Sequence, residues 1–353
     1  MHMKSYRLMA FEKPLELSNG DVPAPQGREV LLKVEGAGIC HSDIHIWDGG
    51  YDIGHGKKFS LEGKGGVPLP LTLGHETAGI AIQAGPEAED IALGQSYLAY
   101  PWIGCGQCAT CAAGDEHLCG KPRALGIYRD GGFSDHLLVP DTKYLLPLGG
   151  LDPITTAPYA CSGLTAFSAL KKAGDVIHSE PIVVIGAGGL GLMSIGLLKA
   201  LGGVGAVVVD IDPKKLEAAS AAGTKAVVDG SAADASSQIS KAAGTRPRFV
   251  VDFVGSEQST ALAFNAVAKG GKLVIVGLFG GAAPWSLPMI PLKAVTIQGS
   301  YVGNLAELCE LVDLVRTKHV PPIPITRASL DQAGDMLAAL KQGKVVGRVV
   351  LTP

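Results

Sequence analysis

Residues 104–120 read GCGQCATCAAGDEHLCG, which places Cys105, Cys108, Cys111 and Cys119 in one short segment of a chain with seven cysteines. Thiolates spaced C-x2-C-x2-C-x7-C can converge on one ion, and four sulfurs complete the closed tetrahedral shell that structural zinc prefers. Such a site admits no substrate; its work would be to hold an irregular loop that lacks a core of its own. An iron–sulfur cluster and a set of reduced structural thiols are the competing readings of the same four residues.

Two of the remaining three cysteines point to different chemistry, while Cys309 takes no assignment. Cys40 lies in GICHSDIH, His75 and Glu76 in LGHE, and Cys161 in YACSGLTA, each at the end of an apolar stretch. Two thiolates and one neutral imidazole neutralise Zn2+ and leave a fourth position open for water or a substrate oxygen, which is what makes a zinc site catalytic. Singly, each residue reads as well as a buried cysteine or a capping histidine.

A third pattern binds phosphate. GAGGLG follows an apolar run and opens a helical one, giving G-x-G-x-x-G at Gly186, Gly188 and Gly191. The first glycine permits the tight turn, the second lets the backbone approach a pyrophosphate, and the third lets helix pack on strand. The helix start then offers unpaired N–H groups to the phosphates. A second run, AVVVD, ends in Asp210, 19 residues after Gly191. A carboxylate there binds both ribose hydroxyls of NAD and repels the 2′-phosphate of NADP; packing glycines beside a solvated strand-end aspartate are the plain alternative.

These groups need two kinds of scaffold. From residue 1 to about 160, short apolar runs such as REVLLKVEGAGIC and ETAGIAIQAG alternate with Gly and Pro turns, the pattern of antiparallel β structure. From about 181, Val/Ile runs alternate with amphipathic stretches, which predicts a doubly wound parallel sheet covered on both faces. LAELCELVDLVRTKHV and LDQAGDMLAALKQG then predict two helices, and GRVVLTP a last strand. With 353 residues, two domains are the natural expectation. A composition of 47% hydrophobic and 18% charged residues excludes a disordered chain, and a net charge of −3 without a basic run excludes a nucleic-acid footprint, leaving a small-molecule partner. The charge-free run PIVVIGAGGLGLMSIGLL, 181–198, has the length of a membrane span. Its glycines and leading Pro181 fit strand, turn and buried helix instead, so no membrane partner is expected. The N-terminus lacks the apolar core of a secretory signal, which makes the cytoplasm the default compartment, where clustered cysteines are metal ligands more often than disulfides.

With GICHSDIHIWDGG, LGHETAG, the four-cysteine loop, CSGLTAF, GAGGLG and VVVDID in this order, the chain resembles the zinc-dependent medium-chain alcohol dehydrogenases over nearly all its length. The C-H-S-D-x-H-x-W string is particularly like the yeast-type tetrameric branch. The resemblance implies a GroES-like, mainly β catalytic domain, 1–161 with 303–353, and a Rossmann-type dinucleotide-binding domain, 162–302. It implies two Zn2+ per chain: a structural ion on the four-cysteine loop and a catalytic ion on Cys40, His75 and Cys161, with Glu76 behind it as a transient ligand and Asp43 orienting His75. Ser42 and His45 match a proton relay that runs through the nicotinamide ribose to water. Thr165, Lys215 and Arg348 match NAD contacts, and Trp47 and Trp102 match the substrate cleft; as plain residues these would be solvated charges and core aromatics. The implied reaction interconverts alcohols with aldehydes or ketones, in a homo-oligomer that is a tetramer rather than a dimer.

Two departures stand out. His41 occupies a place where an arginine often meets the pyrophosphate, and an imidazole holds a diphosphate less firmly. YDIGHGKKFSLEGKGG, 51–66, is an insertion at the cleft mouth, read either as a mobile surface loop or as a substrate-shaping lid. A polyol or other specialised alcohol dehydrogenase is the runner-up, although there a glutamate often stands at the place of Cys161. A catalytically silent zinc-stabilised binding protein would have lost Cys40, His75 or Cys161 first.

Overall fold

A computed structural model describes residues 2–63 and 65–353. Five strands of the amino-terminal half and two from the carboxy terminus form a seven-stranded sheet around Val30–Ile39, whose side chains are buried nearly throughout. Val30–Ile39 pairs antiparallel with Glu76–Ala84, and the two registers shift at Leu31/Leu32 and Val34/Gly36, so the pair bends toward its end at Gly38↔Glu76. The chain's last strand, Arg348–Thr352, adds to the other edge of Val30–Ile39 and is joined in parallel by Ile325–Ser329. Residues beyond 303 therefore return to the first sheet after the second has been built. His2–Leu8, Glu16–Asp21 and Leu71–Thr72 form a smaller sheet beside it.

The second unit is a six-stranded parallel sheet in the spatial order 226–229, 206–210, 182–185, 249–252, 272–275, 296–299. Numbered within the unit this is 3-2-1-4-5-6, the doubly wound order, with its crevice where strands 1 and 4 lead away in opposite directions. Side chains on a strand alternate between faces. Ile182, Val184, Val208 and Val251 accordingly join the core shared with the first unit, while Val183, Ile185, Val207 and Val250 fill a second core under the helices Ala235–Ala243 and Glu257–Ala266. The charge-free run 181–198 divides into the strand Ile182–Ile185, a glycine turn and most of the helix Gly189–Ala200. Among the described residues no helix is long and apolar enough to cross a membrane.

Both predicted carboxy-terminal helices form. Leu305–Lys318 starts at an Asn304–Glu307 capping box, each side chain accepting the other residue's backbone N–H. Ala333–Lys341 follows a short turn of 3₁₀ helix. Helix Ser162–Lys171 is buried from Ser162 to Leu170, because Gly189–Ala200 and Leu305–Lys318 both pack on it. Its first turn thereby becomes a fixed platform between the two sheets.

Candidate active site

Three separate elements end at one point. Cys40 follows Ile39 and caps the helix His41–Trp47, and its backbone N–H donates to Asp43 Oδ2 at 2.8 Å. His75 follows Gly74, whose φ of +95° turns the chain where a Cβ would strike Phe133, and it leads into Glu76–Ala84. Cys161 stands at the head of Ser162–Lys171. The Sγ atoms of Cys40 and Cys161 are 3.9 Å apart, and these with a ring nitrogen of His75 lie within 4.8 Å of one another, all buried.

Asp43, fully buried, sets the tautomer. Its Oδ1 lies 3.2 Å from His75 Nδ1 and accepts that proton, so the lone pair is left on Nε2. That Nε2 is buried and has no hydrogen-bond partner among the described residues. An orphaned imidazole nitrogen is costly unless something binds it, and two thiol sulfurs face it. Two sulfurs at about 2.3 Å from a tetrahedral ion stand about 3.8 Å apart, which matches Cys40 and Cys161 and leaves one position free. Without an ion, the Cys161 thiol donating to Cys40 holds Cys40 well below the usual thiol range.

Behind the cluster lies a buried ion pair. Glu76 Oε1 accepts from Arg348 Nη2 at 3.0 Å and from the Ser162 N–H at 3.0 Å, while Oε2 has no partner among the described residues. Burial pushes the Glu76 carboxyl up to about 7 despite Arg348 beside it. Gly38 is required here, since a Cβ would meet Glu76 Oε2 at 2.2 Å. Arg348 is 2% exposed and is not a solvated charge. Its Nη1 donates to Ile39 O, Nη2 lies 3.7 Å from Cys40 Sγ, and its unpartnered Nε faces Gly189 at the start of the glycine-loop helix. One guanidinium thus stands between the metal-ligand cluster and the phosphate cradle. Sequence reasoning gave Arg348 a cofactor contact but missed its pairing with Glu76, which no spacing could signal across 272 positions.

The cradle has the geometry its glycines predict. Gly186 takes φ +97°, Gly188 caps the helix, and a Cβ on Gly191 would lie 1.9 Å from Gly186 O. Asp210 ends its strand beside the loop and accepts from Ala187, Ile211 and Asp212 N–H groups. Thr165 is one turn beyond Cys161, its hydroxyl buried without a partner among the described residues. Lys215, half-buried on the helix Pro213–Ala221, lies close enough to His41 to oppose its protonation; desolvation, then Arg348, His45 and last Lys215, push His41 down to about 4 against the pull of Cys40.

Ser42 is half-buried with Oγ 3.9 Å from Cys40 Sγ. One turn on, His45 faces an open cavity of about 790 Å³ that also reaches His41, Trp47, Phe279 and Lys341, and that borders the ligand cluster rather than containing it. Trp102 is buried with its ring 5.4 Å from His75, its Nε1 donating to Ala160 O. Trp47 is farther out, donating to Lys13 O under the Lys341 ammonium. Both tryptophans also pack on the core.

The insertion, apart from Lys64 outside the described residues, carries a hairpin of Gly50–Asp52 and Lys58–Ser60. Its tip lies against the second unit: Gly281 N–H donates to Asp52 O, and a Cβ on Gly54 would meet Ala282 N at 2.7 Å. Three tyrosines near the cluster, Tyr51, Tyr128 and Tyr301, escaped the sequence reading. Tyr51 hides in the insertion, Tyr128 stands in a turn and Tyr301 just past a strand, neither of them in a pattern.

The four-cysteine loop is compact. Sγ distances are 3.9 Å for Cys105–Cys111, 3.5 Å for Cys108–Cys111 and 3.8 Å for Cys108–Cys119, and all four sulfurs lie within 4.8 Å of one another. That spacing suits a single ion and is too tight for a cluster in which each sulfur serves a different iron. Gly104 makes the room, since a Cβ there would meet Cys111 Sγ at 2.5 Å.

Residues 26–149 match the family model described as alcohol dehydrogenase GroES-like domain, and 189–317 match that described as zinc-binding dehydrogenase. An NAD-dependent alcohol dehydrogenase of Sulfurisphaera tokodaii is 39% identical over 99% of this chain and all of its own length. The chain belongs to the zinc-dependent medium-chain alcohol dehydrogenase family. A second NAD-dependent alcohol dehydrogenase, from Saccharolobus solfataricus, is 37% identical over 99% of the chain and its own full length. The solved alcohol dehydrogenase of Aeropyrum pernix superposes with a TM-score of 0.87 at 30% identity, covering 99% of this chain and all of its own. This dehydrogenase thus combines a GroES-like unit with a Rossmann-type unit, as its two sheets require.

Proposed function

We propose that this family member interconverts a small alcohol and its aldehyde or ketone by hydride transfer to and from NAD. The observation that carries the reading is the partnerless His75 Nε2, buried beside the sulfurs of Cys40 and Cys161. Cys40, His75 and Cys161 would hold one zinc, with Glu76 beneath as a transient ligand, and Cys105, Cys108, Cys111 and Cys119 a second, closed one. The first, when bound, supplies Lewis-acid polarisation of a substrate oxygen, and NAD supplies the hydride acceptor.

The chain's own groups do the rest. Asp43 keeps the Nε2 lone pair aimed at the ion. Ser42 accepts the substrate hydroxyl proton, and His45, at the cavity wall, hands it to solvent. The helix start at Gly188 holds the pyrophosphate with Arg348 at its side, Asp210 the adenosine ribose, and Thr165 and Lys215 further parts of the cofactor. Trp102 borders the reacting centre, and Trp47 the outer cleft. The division into 1–161 with 303–353 and 162–302 belongs to the same reading, supported by the return of Arg348–Thr352 to the first sheet.

Exposed Leu287, Met289 and Leu292 beside the edge strand Thr296–Gly299 support a homo-oligomer, proposed as the yeast-type tetramer on the strength of the 40–47 string; the compartment proposed is the cytoplasm. Steady-state assays following reduced nicotinamide, with aliphatic, aromatic, cyclic and polyhydroxylated alcohols side by side, test the reaction. Oxidation of at least one class with NAD is expected; none by zinc-replete protein would remove the assignment.

A further inference from the structure

Three tyrosines converge on the ligand cluster from distant parts of the chain. Tyr51, on the first strand of the inserted hairpin, lies 4.8 Å from the His45 ring and pairs across the hairpin with Phe59. Tyr128 is carried by the turn 124–129, pressed onto the backbone before His75: a Cβ on Gly126 would meet Gly74 C at 2.7 Å and His75 N at 2.9 Å. Tyr301 follows the strand Thr296–Gly299 and meets Trp102 edge-on at 5.9 Å, the same Trp102 that borders His75. Tyr301 is 48% exposed, yet partial desolvation raises its phenol, and Tyr51, Cys161 and Tyr128 are near enough to raise it further. Tyr51 is pushed up to about 12, again mainly by burial, so both are protonated, donating groups at neutral pH.

Their hydroxyls are what matter. Tyr97 bonds to Ala92, Tyr100 donates to Gly303 O and Tyr144 to Glu116. The hydroxyls of Tyr51, Tyr128 and Tyr301 make no hydrogen bond to another described residue, as is also true of Tyr6 and Tyr159; what sets these three apart is their place beside one another and the ligand cluster, where each can donate one bond and accept two. Trp102 has committed its N–H to Ala160 O and offers only its ring. Beside the ligand cluster the chain therefore offers aromatic ring faces and three hydroxyls that no described residue engages.

We propose that the substrate is a polyhydroxylated, sugar-like alcohol whose secondary hydroxyls bond to Tyr51, Tyr128 and Tyr301 while its C–H face lies on Trp102. This deepens the dehydrogenase reading and rests on it. A plain hydrocarbon alcohol would displace water from three phenols without replacing its bonds, at about 1–3 kcal/mol for each one left unpaired. Sites built to bond a substrate hydroxyl reject analogues that lack it far more strongly than an apolar pocket rejects an added one. An aromatic alcohol would stack on the rings and leave the same three hydroxyls unpaired.

The test compares D-xylose and xylitol with 1-pentanol and benzyl alcohol, using zinc-replete enzyme with NAD, in the parent and in Tyr51→Phe, Tyr128→Phe and Tyr301→Phe. Phe keeps each ring and removes one hydroxyl. The parent should prefer a pentose or pentitol to 1-pentanol in kcat/KM, and each substitution should reduce that preference about tenfold, as expected for one lost hydrogen bond. Calorimetric titration of xylitol onto enzyme saturated with NADH should show weaker binding in all three variants. A parent that prefers 1-pentanol or benzyl alcohol, or variants whose preference and xylitol affinity match the parent, would overturn the proposal while leaving the dehydrogenase reading intact. Failure to reduce NAD with any of the four would instead remove both.

Discussion

Asp43→Asn isolates the role of one buried carboxylate. Its oxygens accept the Cys40 N–H at 2.8 Å, the Gly74 N–H at 3.3 Å and, at 3.2 Å, the His75 Nδ1 proton. Asparagine has the same volume but only one acceptor oxygen. If that oxygen faces Cys40, the amide nitrogen faces His75 Nδ1 and drives the imidazole proton to Nε2, where it blocks ligation. If the amide turns over, donor meets donor at Cys40 instead. Either way the site loses a fixed tautomer or a cap. Loss of such an orienting partner costs roughly 10–100-fold in metal affinity, about 1.4–2.7 kcal/mol. Competition with a chromophoric zinc chelator reads this directly, because Asp43 does not contact the four-cysteine loop and that site serves as internal reference. One zinc per chain should move to the weaker affinity and the other stay. An Asn variant that holds both ions as tightly as the parent refutes the argument about the tautomer.

Cys40→Ala should abolish turnover while NADH fluorescence still reports cofactor binding; surviving turnover would remove Cys40 from the chemistry. Asp210→Gly takes away the carboxylate that would bind the ribose hydroxyls and repel a 2′-phosphate. The NAD-over-NADP ratio of kcat/KM should fall at least about tenfold, and an unchanged ratio counts against the ribose role. Cys108→Ser removes one of four converging sulfurs, and a structural zinc contributes its binding energy to folding. At about 2–4 °C per kcal/mol, the thermal midpoint should drop by roughly 5 °C or more, and a midpoint equal to the parent's would mean the loop holds no ion.

Patterns with a short period were legible in the sequence. Continuous Val/Ile runs announced buried parallel strands, the glycine spacing announced the phosphate turn, and the C-x2-C-x2-C-x7-C spacing held its ligands within one loop. Where chemistry depends on meetings between distant segments, residue types alone were silent. Cys40, His75 and Cys161 came together in the sequence reading only through family resemblance, because 121 positions separate the two sulfurs that stand 3.9 Å apart. The Glu76–Arg348 pair depends on the last strand returning to the first sheet, a topological event with no local signature. Tyr128 and Tyr301 acquire a role only from the backbones that Gly126 and the end of the second sheet place beside His75 and Trp102. Trp47 and Trp102 are a mixed case, since each lies near the cleft and packs on the core at once.

Zinc K-edge absorption on metal-replete protein tests the central claim most directly, because it counts ligands by element. One closed four-sulfur site and one open site of two sulfurs and an imidazole predict two zincs per chain and a site average of about three sulfurs at about 2.3 Å, with an imidazole signal. Cys161→Ser should leave the ion of the four-cysteine loop in place and either lower the average to about 2.5 sulfurs with both ions kept or, where the open site empties, leave one zinc with about four sulfurs and no imidazole. In the parent, a single zinc per chain with four sulfurs and no imidazole would contradict the account, for Cys40, His75 and Cys161 would then hold no metal and the proposed oxidation would have no centre.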